Sequence, residues 1–598
     1  MTVVTREKLW WKHAVIYQIY PSSFCDSNGD GMGDLPGITS KLDYIASLGV
    51  DAIWICPMYD SPQVDMGYDI SNYEDIYGPY GTLQDMETLI KEAHARNLRV
   101  MLDLVINHTS DQHAWFKESI SSKDSPKRDW YIWKPAKYSE SGERLPPNNW
   151  RCNFGGGSVW EWDENTQEYY LHLFAKEQPD LNWENPVCRK AIYDSAIEFW
   201  LKRGVDGFRV DTVNMYSKLQ DYPDAPIIDS RAEFQPAGLL YCNGPRMHEF
   251  LSEVNAVLAK YGAITVGELP NTPDMQKVLK YVSANAKQLD MVFQFDLVDV
   301  GFGTTHKFET TPRNWTLPDA KAAVDRMQGL IRGTDAWTTV FMENHDQARS
   351  VTRYTNDSPK YRVAGAKLLA LMQACLSGTQ YVYQGQEIGC VNTPLEGYPA
   401  ENYLDIDSTL FYKMVQERSN GDKAEVDKAF AAMQHLARDH ARVPIAWDGK
   451  LKHGGFSEPA QKAGKEVQEP WMKAHPYAAE INVADQLDDP NSVLAFWRKM
   501  IKFRREHNDI LVYGDYRCLH EEDLNTFTFV KETANGVAKA FTVLNFSEQE
   551  QKWDVPTAKE LGLPEDAEVK LVPVASTHEG KPGQTLSAYE GQVYLVNP

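Results

Sequence analysis

Apolar residues along this chain gather into eight short runs: 14–24 (AVIYQIYPSSF), 52–59, 100–108 (VMLDLVINH), 207–213 (GFRVDTV), 264–269 (ITVGEL), 291–297, 337–346 (WTTVFMENHD) and 379–389. Runs this short, rich in Val, Ile, Tyr and Phe and nearly continuous, predict strands buried on both faces of a parallel sheet. Seven of the eight gaps between and after them carry helix-period segments, among them 83–97, 189–204 and 361–378. Strand alternating with helix eight times predicts an α/β fold of the (β/α)8 barrel type, whose chemistry sits at the C-terminal strand ends.

The alternation breaks in three places. About a hundred residues separate the third run from the fourth, far more than one helix needs. The part from 109 to 180 is rich in Trp, Tyr, Asn and Gly and reads as a small inserted domain beside the cleft. A second excursion, 390–485, holds GYPAENYLDI, a helix around 422–441 and a loop-rich stretch. After a helix at 490–508 the period changes to two, with Asn535-Gly536 marking a hairpin. The expected organisation is a barrel in two parts (1–108 and 181–510), the insertion at 109–180, and a C-terminal antiparallel β-sandwich domain at 511–598.

Three carboxylates stand at the ends of three of the runs: Asp211 in GFRVDTV, Glu268 in AITVGELP and Asp346 in TTVFMENHDQAR. A carboxylate beside β-branched and aromatic neighbours is costly unless it is paired or used. Three in the same context point to one cleft, which Asn107, His108 and His345 join. Paired carboxylates with imidazole, guanidinium and aromatic walls suit glycoside cleavage, in which one acid protonates the leaving oxygen and a second carboxylate supports or attacks the anomeric centre. Spacing along the sequence leaves retention or inversion open.

A net charge of −23 and a pI near 5.1 argue against nucleic acid or an anionic membrane as partner. The N-terminus has no apolar stretch long enough for a signal peptide or anchor, which predicts a cytoplasmic protein. The eight cysteines are scattered without metal-binding spacing and read as reduced, mostly buried hydrophobes.

In this order DLVINH (103–108), QPDLN (178–182), GFRVDTV (207–213), TVGELP (265–270) and FMENHDQAR (341–349) resemble the motif set of the α-amylase superfamily, glycoside hydrolase family 13, and look most like its α-glucosidase, maltase and oligo-1,6-glucosidase branch. The similarity extends through YQIYPSSF, GYDISNY, LHLFAKEQPDLNWENP and LVYGDY over nearly the whole chain. The resemblance implies that Asp211 is the nucleophile, Glu268 the acid/base and Asp346 the transition-state stabiliser. It implies substrate-binding roles for Tyr68, His108, Phe174, Arg209, Thr212 and His345, with Asp69 and Arg442 clamping the far hydroxyl of a terminal glucose. The expected activity is exo-acting, retaining hydrolysis of terminal α-1,4-linked glucose from maltose and short malto-oligosaccharides, with sucrose as a further substrate on the same grounds. The alternatives are isomaltase action and sucrose isomerisation or transglucosylation. The expected partner is a small sugar alone, the chain acting as a monomer or weak homo-oligomer.

The run Asp26-Ser-Asn28-Gly-Asp30-Gly-Met32-Gly-Asp34 alternates oxygen ligands with glycines, the wiring of a hard-cation loop. It departs from an EF-hand, having Gly37 in place of the closing Glu. The resemblance implies a structural Ca2+ or Mg2+ held by Asp26, Asn28, Asp30, Asp34 and the Met32 carbonyl. Two departures from the family pattern matter. The stretch ARDHARVPIAW (437–447) keeps Arg442 and Trp447 but not the family's residues at His440, Val443 and Ala446, and FQFDLVDVGFGTTHKF lacks the arginine-rich loop of sucrose isomerases.

Overall fold

The computed structural model describes residues 6–394, 396 and 398–598; Met1–Thr5 of the N-terminal stretch and Gly397 of the GYPAENYLDI run lie outside the described residues. Each apolar run contains a strand: β1 (Val15–Ile19), β2 (Ala52–Ile55), β3 (Arg99–Leu104), β4 (Gly207–Val210), β5 (Ile264–Glu268), β6 (Met291–Phe293), β7 (Thr339–Val340) and β8 (Thr379–Tyr383). They pair in parallel in the order β6-β5-β4-β3-β2-β1-β8-β7. A parallel bridge between Val292 and Thr338 joins the two outer strands. The result is a (β/α)8 barrel.

Side chains along the strands alternate between two layers. Ile16, Trp54, Met101, Val266, Met291 and Tyr381 fill the barrel. Tyr17, Ile53, Leu102, Phe208 and Val292 pack outward beneath the helices. Helix Leu83–Ala95 shows how a covering helix is specified. Thr82 and Asp85 form a reciprocal capping box, and Met86, Leu89, Ile90 and Ala93, three and four apart, bury its inner face. The segment at 189–204 forms one helical run from Pro186 to Leu201 with π-type turns at Tyr193–Glu198. The second excursion contains two long helices, Ile406–Arg418 and Lys423–Leu436, where one was expected, besides short ones such as Asp439–Arg442 and Glu458–Lys462.

Between β3 and β4 the inserted segment forms a three-stranded antiparallel sheet from Trp133–Lys134, Trp160–Asp163 and Glu168–Leu171. Its aromatic core of Trp150, Trp160 and Tyr169 also recruits Met215, Tyr222 and Tyr241 from beyond β4. An antiparallel bridge from His108 to Asp180 ties the insertion to the barrel. The C-terminal part is a five-stranded antiparallel sheet of β9 (Asp515–Leu519), β10 (Thr526–Glu532), β11 (Lys539–Asn545), β12 (Leu571–Ser576) and β13 (Gly591–Val596), in the order β9-β10-β11-β13-β12. Gly536, at φ +70°, sits in the β10–β11 turn. All eight cysteines are free. Among the described residues no helix is long and apolar enough to cross a membrane.

Candidate active site

Strand alternation brings Asp103 on β3 and Arg209 on β4 to the same side, and the ladder register makes them direct neighbours. Arg209 Nη1 donates to Asp103 Oδ1 at 2.7 Å and to Asp211 Oδ1 at 2.6 Å, and its Nη2 lies 3.0 Å from Glu268 Oε2. One buried guanidinium therefore ties three carboxylates from three consecutive strands. Asp103 was not among the residues singled out from the sequence. The signal was present, since it is a carboxylate inside the apolar run VMLDLVINH. It accepts from the Tyr68 hydroxyl at 3.0 Å and the Trp54 indole at 3.3 Å.

Three carboxylates and one guanidinium cannot all be charged cheaply in a dry site. Burial pushes Glu268 up to about 8, assisted by the nearby charges of Asp211 and Asp346 and opposed by Arg209. Burial raises Asp211 and Asp103 only to about 6, because Arg209 opposes it at both. Between these values Glu268 keeps its proton while Asp211 is ionised, the division of labour that an acid and a nucleophile need.

Thr212 touches both groups. Its backbone N–H donates to Glu268 Oε2 at 3.1 Å and its hydroxyl to Asp211 Oδ2 at 3.1 Å. It does so from φ +40°, a left-handed conformation that is rare for a β-branched residue and marks a site held against local preference.

Asp346, on the turn beyond β7, accepts from Arg438 Nη1 at 3.0 Å and Arg442 Nη2 at 2.9 Å. Burial opposes its charge, but His345 and the two guanidiniums outweigh that and hold it well below the usual carboxylate range. Burial pushes His345 itself down to about 4, so its ring is neutral. Its Nδ1 accepts from the Gln18 amide at 2.9 Å, which assigns the proton to Nε2, between Tyr68 Oη at 2.6 Å and Asp346 Oδ2 at 3.0 Å. The His345 and Tyr68 rings stack at 5.2 Å, 4° from parallel. His108, its pKa lowered by burial, packs against Phe174 at 5.2 Å.

Asp211, Glu268, Asp346, Tyr68, His108, Phe174 and Thr212 all line one cavity of about 190 Å3. Arg209, His345 and Arg442 are buried around it. The expected clamp of Asp69 with Arg442 does not form. Asp69 is turned inward, where its two oxygens accept from the backbone N–H groups of Val64 at 2.9 Å and Asp65 at 3.0 Å. The carboxylate at the cavity wall is Asp65, and its partner is Arg438 at 3.1 Å. Arg438 bridges Asp65, Asp346 and the buried Asp405. In the sequence Asp65 and Arg438 each lie four residues before the residue expected in the clamp, and spacing alone does not say which member of each pair faces the cavity.

In the Asp26–Asp34 loop, Gly29 and Gly31 take φ +92° and +88°, and a Cβ on Gly31 would meet the Glu469 carbonyl at 2.2 Å. Among the described residues no group of three or more His, Cys, Asp or Glu is arranged to hold a metal ion. Asp26 accepts from the N–H groups of Asn28, Gly29 and Gly31 and from the Ser457 hydroxyl. Asp34 accepts from Ser27 and caps helix Leu35–Ser40 through Gly37 N–H. Both carboxylates are buried with neutral donors only. Burial, with the like charge of Asp26 added, raises Asp34 to about 6. Two buried acids without a cationic side chain, among alternating oxygen donors, fit a hard cation chemically.

The family model for the alpha amylase catalytic domain matches residues 18–514. An alpha-glucosidase of Candida albicans is 49% identical over 594 residues, covering 99% of this chain and 100% of that protein. An oligo-1,6-glucosidase of Saccharomyces cerevisiae is 45% identical over 597 residues, covering 98% of each. A crystal structure of an isomaltulose synthase variant from Erwinia rhapontici, in complex with sucrose, matches with a TM-score of 0.89 at 35% identity, over 99% of this chain and 100% of that one.

Proposed function

This chain belongs to the alpha-amylase family of glycoside hydrolases, and from that premise we propose that it is a retaining, exo-acting α-glucosidase that releases terminal α-1,4-linked glucose from maltose and short malto-oligosaccharides and also takes sucrose. The observation that carries the reading is the guanidinium of Arg209 joining Asp211 to Glu268 while their affinities for a proton differ. Asp211 attacks the anomeric carbon as Glu268 gives its proton to the glycosidic oxygen, and the leaving sugar departs as an alcohol. Glu268, now ionised, takes a proton from water, whose oxygen attacks the anomeric carbon and releases Asp211. Asp346, kept ionised by Arg438 and Arg442, accepts from ring hydroxyls, and neutral His108 and His345 complete the hydrogen bonding. Asp65 and Arg438 support exo action, because they place a charged wall on a cavity of about 190 Å3.

Linkage preference is assigned to Thr212. Its hydroxyl is a polar group at the cavity wall that a valine would replace with a methyl of the same shape. On a panel of maltose, isomaltose, sucrose and trehalose, the wild type should prefer maltose. Thr212→Val should move the isomaltose-to-maltose ratio of kcat/KM toward isomaltose by about 10-fold or more. A wild type that prefers isomaltose, or a ratio that stays put, would replace maltase by isomaltase. Product chromatography on sucrose separates hydrolysis from isomerisation.

The loop from Asp26 to Asp34 is proposed to bind Ca2+ or Mg2+ structurally, through Asp26, Asn28, Asp30, Asp34 and the Met32 carbonyl. Chelation or Asp30→Ala should lower the Tm with KM unchanged; a site kept at a hundred times its Kd supplies about 2.7 kcal/mol. Equal Tm with and without chelator, checked calorimetrically, would leave the loop a simple turn. Free cysteines throughout support a reducing, cytoplasmic location.

A further inference from the structure

Arg438 and Arg442 both donate to Asp346, and they do so from the two ends of a single turn of helix, Asp439–Arg442. Four residues are too few for a helix to hold its shape by backbone bonds alone, so its neighbours must fix it. Arg438, which precedes the turn with helical φ/ψ, and Arg442 are four apart and share one side. His440 lies midway between them and is turned to the other side, where it is buried. Its Nδ1 accepts from the Thr393 backbone N–H at 3.2 Å and lies 2.8 Å from the Thr393 hydroxyl, and its ring meets Tyr403 edge-on at 5.6 Å. A backbone N–H can only donate, which assigns the ring proton to Nε2 and leaves the imidazole neutral. Burial pushes the pKa of His440 down to about 3, in keeping with that tautomer.

Other contacts hold the turn along its backbone. Arg349 reaches the carbonyls of His440 and Ala441 at 3.3 Å each. Asp439 accepts from the N–H groups of Leu404 at 2.6 Å and Asp405 at 3.0 Å. Rotation of the turn about its axis would swing both guanidiniums away from Asp346, and the bond from Thr393 to His440 opposes it from the far side. We propose that His440 is a positioning residue: held through Nδ1 by Thr393, it sets the rotation of the Asp439–Arg442 turn and so aims Arg438 and Arg442 at Asp346. The inference rests on the glucosidase reading above, in which Asp346 accepts from ring hydroxyls, and adds a residue outside the cavity that governs that contact. Asparagine carries its Oδ1 as many bonds from the backbone as the imidazole Nδ1, so it can still accept from Thr393, whereas leucine fills the space and cannot.

The test measures kcat/KM on an aryl α-glucoside and on its 2-deoxy and 3-deoxy counterparts for wild type, His440→Leu, His440→Asn and Thr393→Val. The ratio of the glucoside to a deoxy counterpart reads the grip of Asp346 on a hydroxyl, whatever fraction of each preparation is folded. His440→Leu should shrink that ratio by about 10-fold or more for at least one deoxy sugar. His440→Asn should return it to the wild-type value. Thr393→Val loses the hydroxyl but keeps the N–H, and should shrink the ratio by about 2- to 10-fold; it decides the matter if His440→Leu does not fold. A ratio unchanged in the deciding variant, an equal fall on every substrate, or an asparagine variant no better than leucine makes His440 merely structural and overturns the proposal. An aryl glucoside is cut whatever linkage the natural substrate has, so any of these results leaves the glucosidase reading standing. A wild type inert on the aryl glucoside would sink that reading instead.

Discussion

Asp211→Asn should fold normally and lose at least about 10^4-fold in turnover, because an amide of the same shape keeps the cavity but cannot form the glycosyl ester. The substitution sits among groups that the wild type already holds in one place: Arg209 Nη1, at 2.6 Å from Oδ1, can donate to the amide oxygen, and the Thr212 hydroxyl, at 3.1 Å from Oδ2, can accept from the amide nitrogen. Unchanged melting together with lost hydrolysis of an aryl glucoside is the expected pair of results. A variant that keeps substantial wild-type turnover would remove Asp211 from the mechanism and with it the retaining pathway.

Arg209→Met should be harsher for the whole protein. The side chain is buried and bonded to Asp103, Asp211 and Glu268, so its loss leaves three buried carboxylates facing one another. Breaking a buried ion pair from one side costs about 3–5 kcal/mol, which should appear as a lower denaturant midpoint. Where the variant folds, turnover at neutral pH should fall by at least about 10^2-fold. The pH profile gives the sign. In the wild type, kcat/KM should rise as Asp211 ionises near about 6 and fall as Glu268 loses its proton near about 8. Arg209 opposes the burial that raises Asp211, so removing it should move the acid limb to higher pH. A limb that stays near 6 or moves down would show that Arg209 does not set the ionisation of the nucleophile.

Period and composition carried the barrel, because eight apolar runs between helical stretches admit few other arrangements. They overstated the ladders. WTTVFMENHD contributes only Thr339–Val340 as strand, and its remaining residues turn to aim Asp346 at the cavity with His345 buried against it. A run can be apolar because it lies under a helix or beside a pocket, without being paired. Residues whose chemistry was anomalous for their place, such as Asp211 and Glu268, were legible in the same way, and Asp103 obeyed the same rule unnoticed. What escaped was orientation. DMGYD offers two acids and RDHAR two arginines, four residues apart in each case. Arg438 and Arg442 both reach Asp346, whereas of the two acids only Asp65 faces the cavity and Asp69 caps its own loop. That choice is made by backbone turns whose geometry residue spacing does not encode.

The ladder between β1 and β8 has a consequence for how the molecule is made. Val15 lies against Gln380, its neighbour from 365 residues further along the chain. At about 5–20 residues per second, a ribosome needs about 20–70 s to supply that partner. All five residues of β1 are buried in the finished barrel and four of them are apolar, so during that interval one edge of a largely apolar strand is without its mate. An unmated edge of this kind is a template for association with another nascent chain. The demand for protection during synthesis therefore falls on the first strand made, long before Asp346 and Arg438 arrive to complete the cavity.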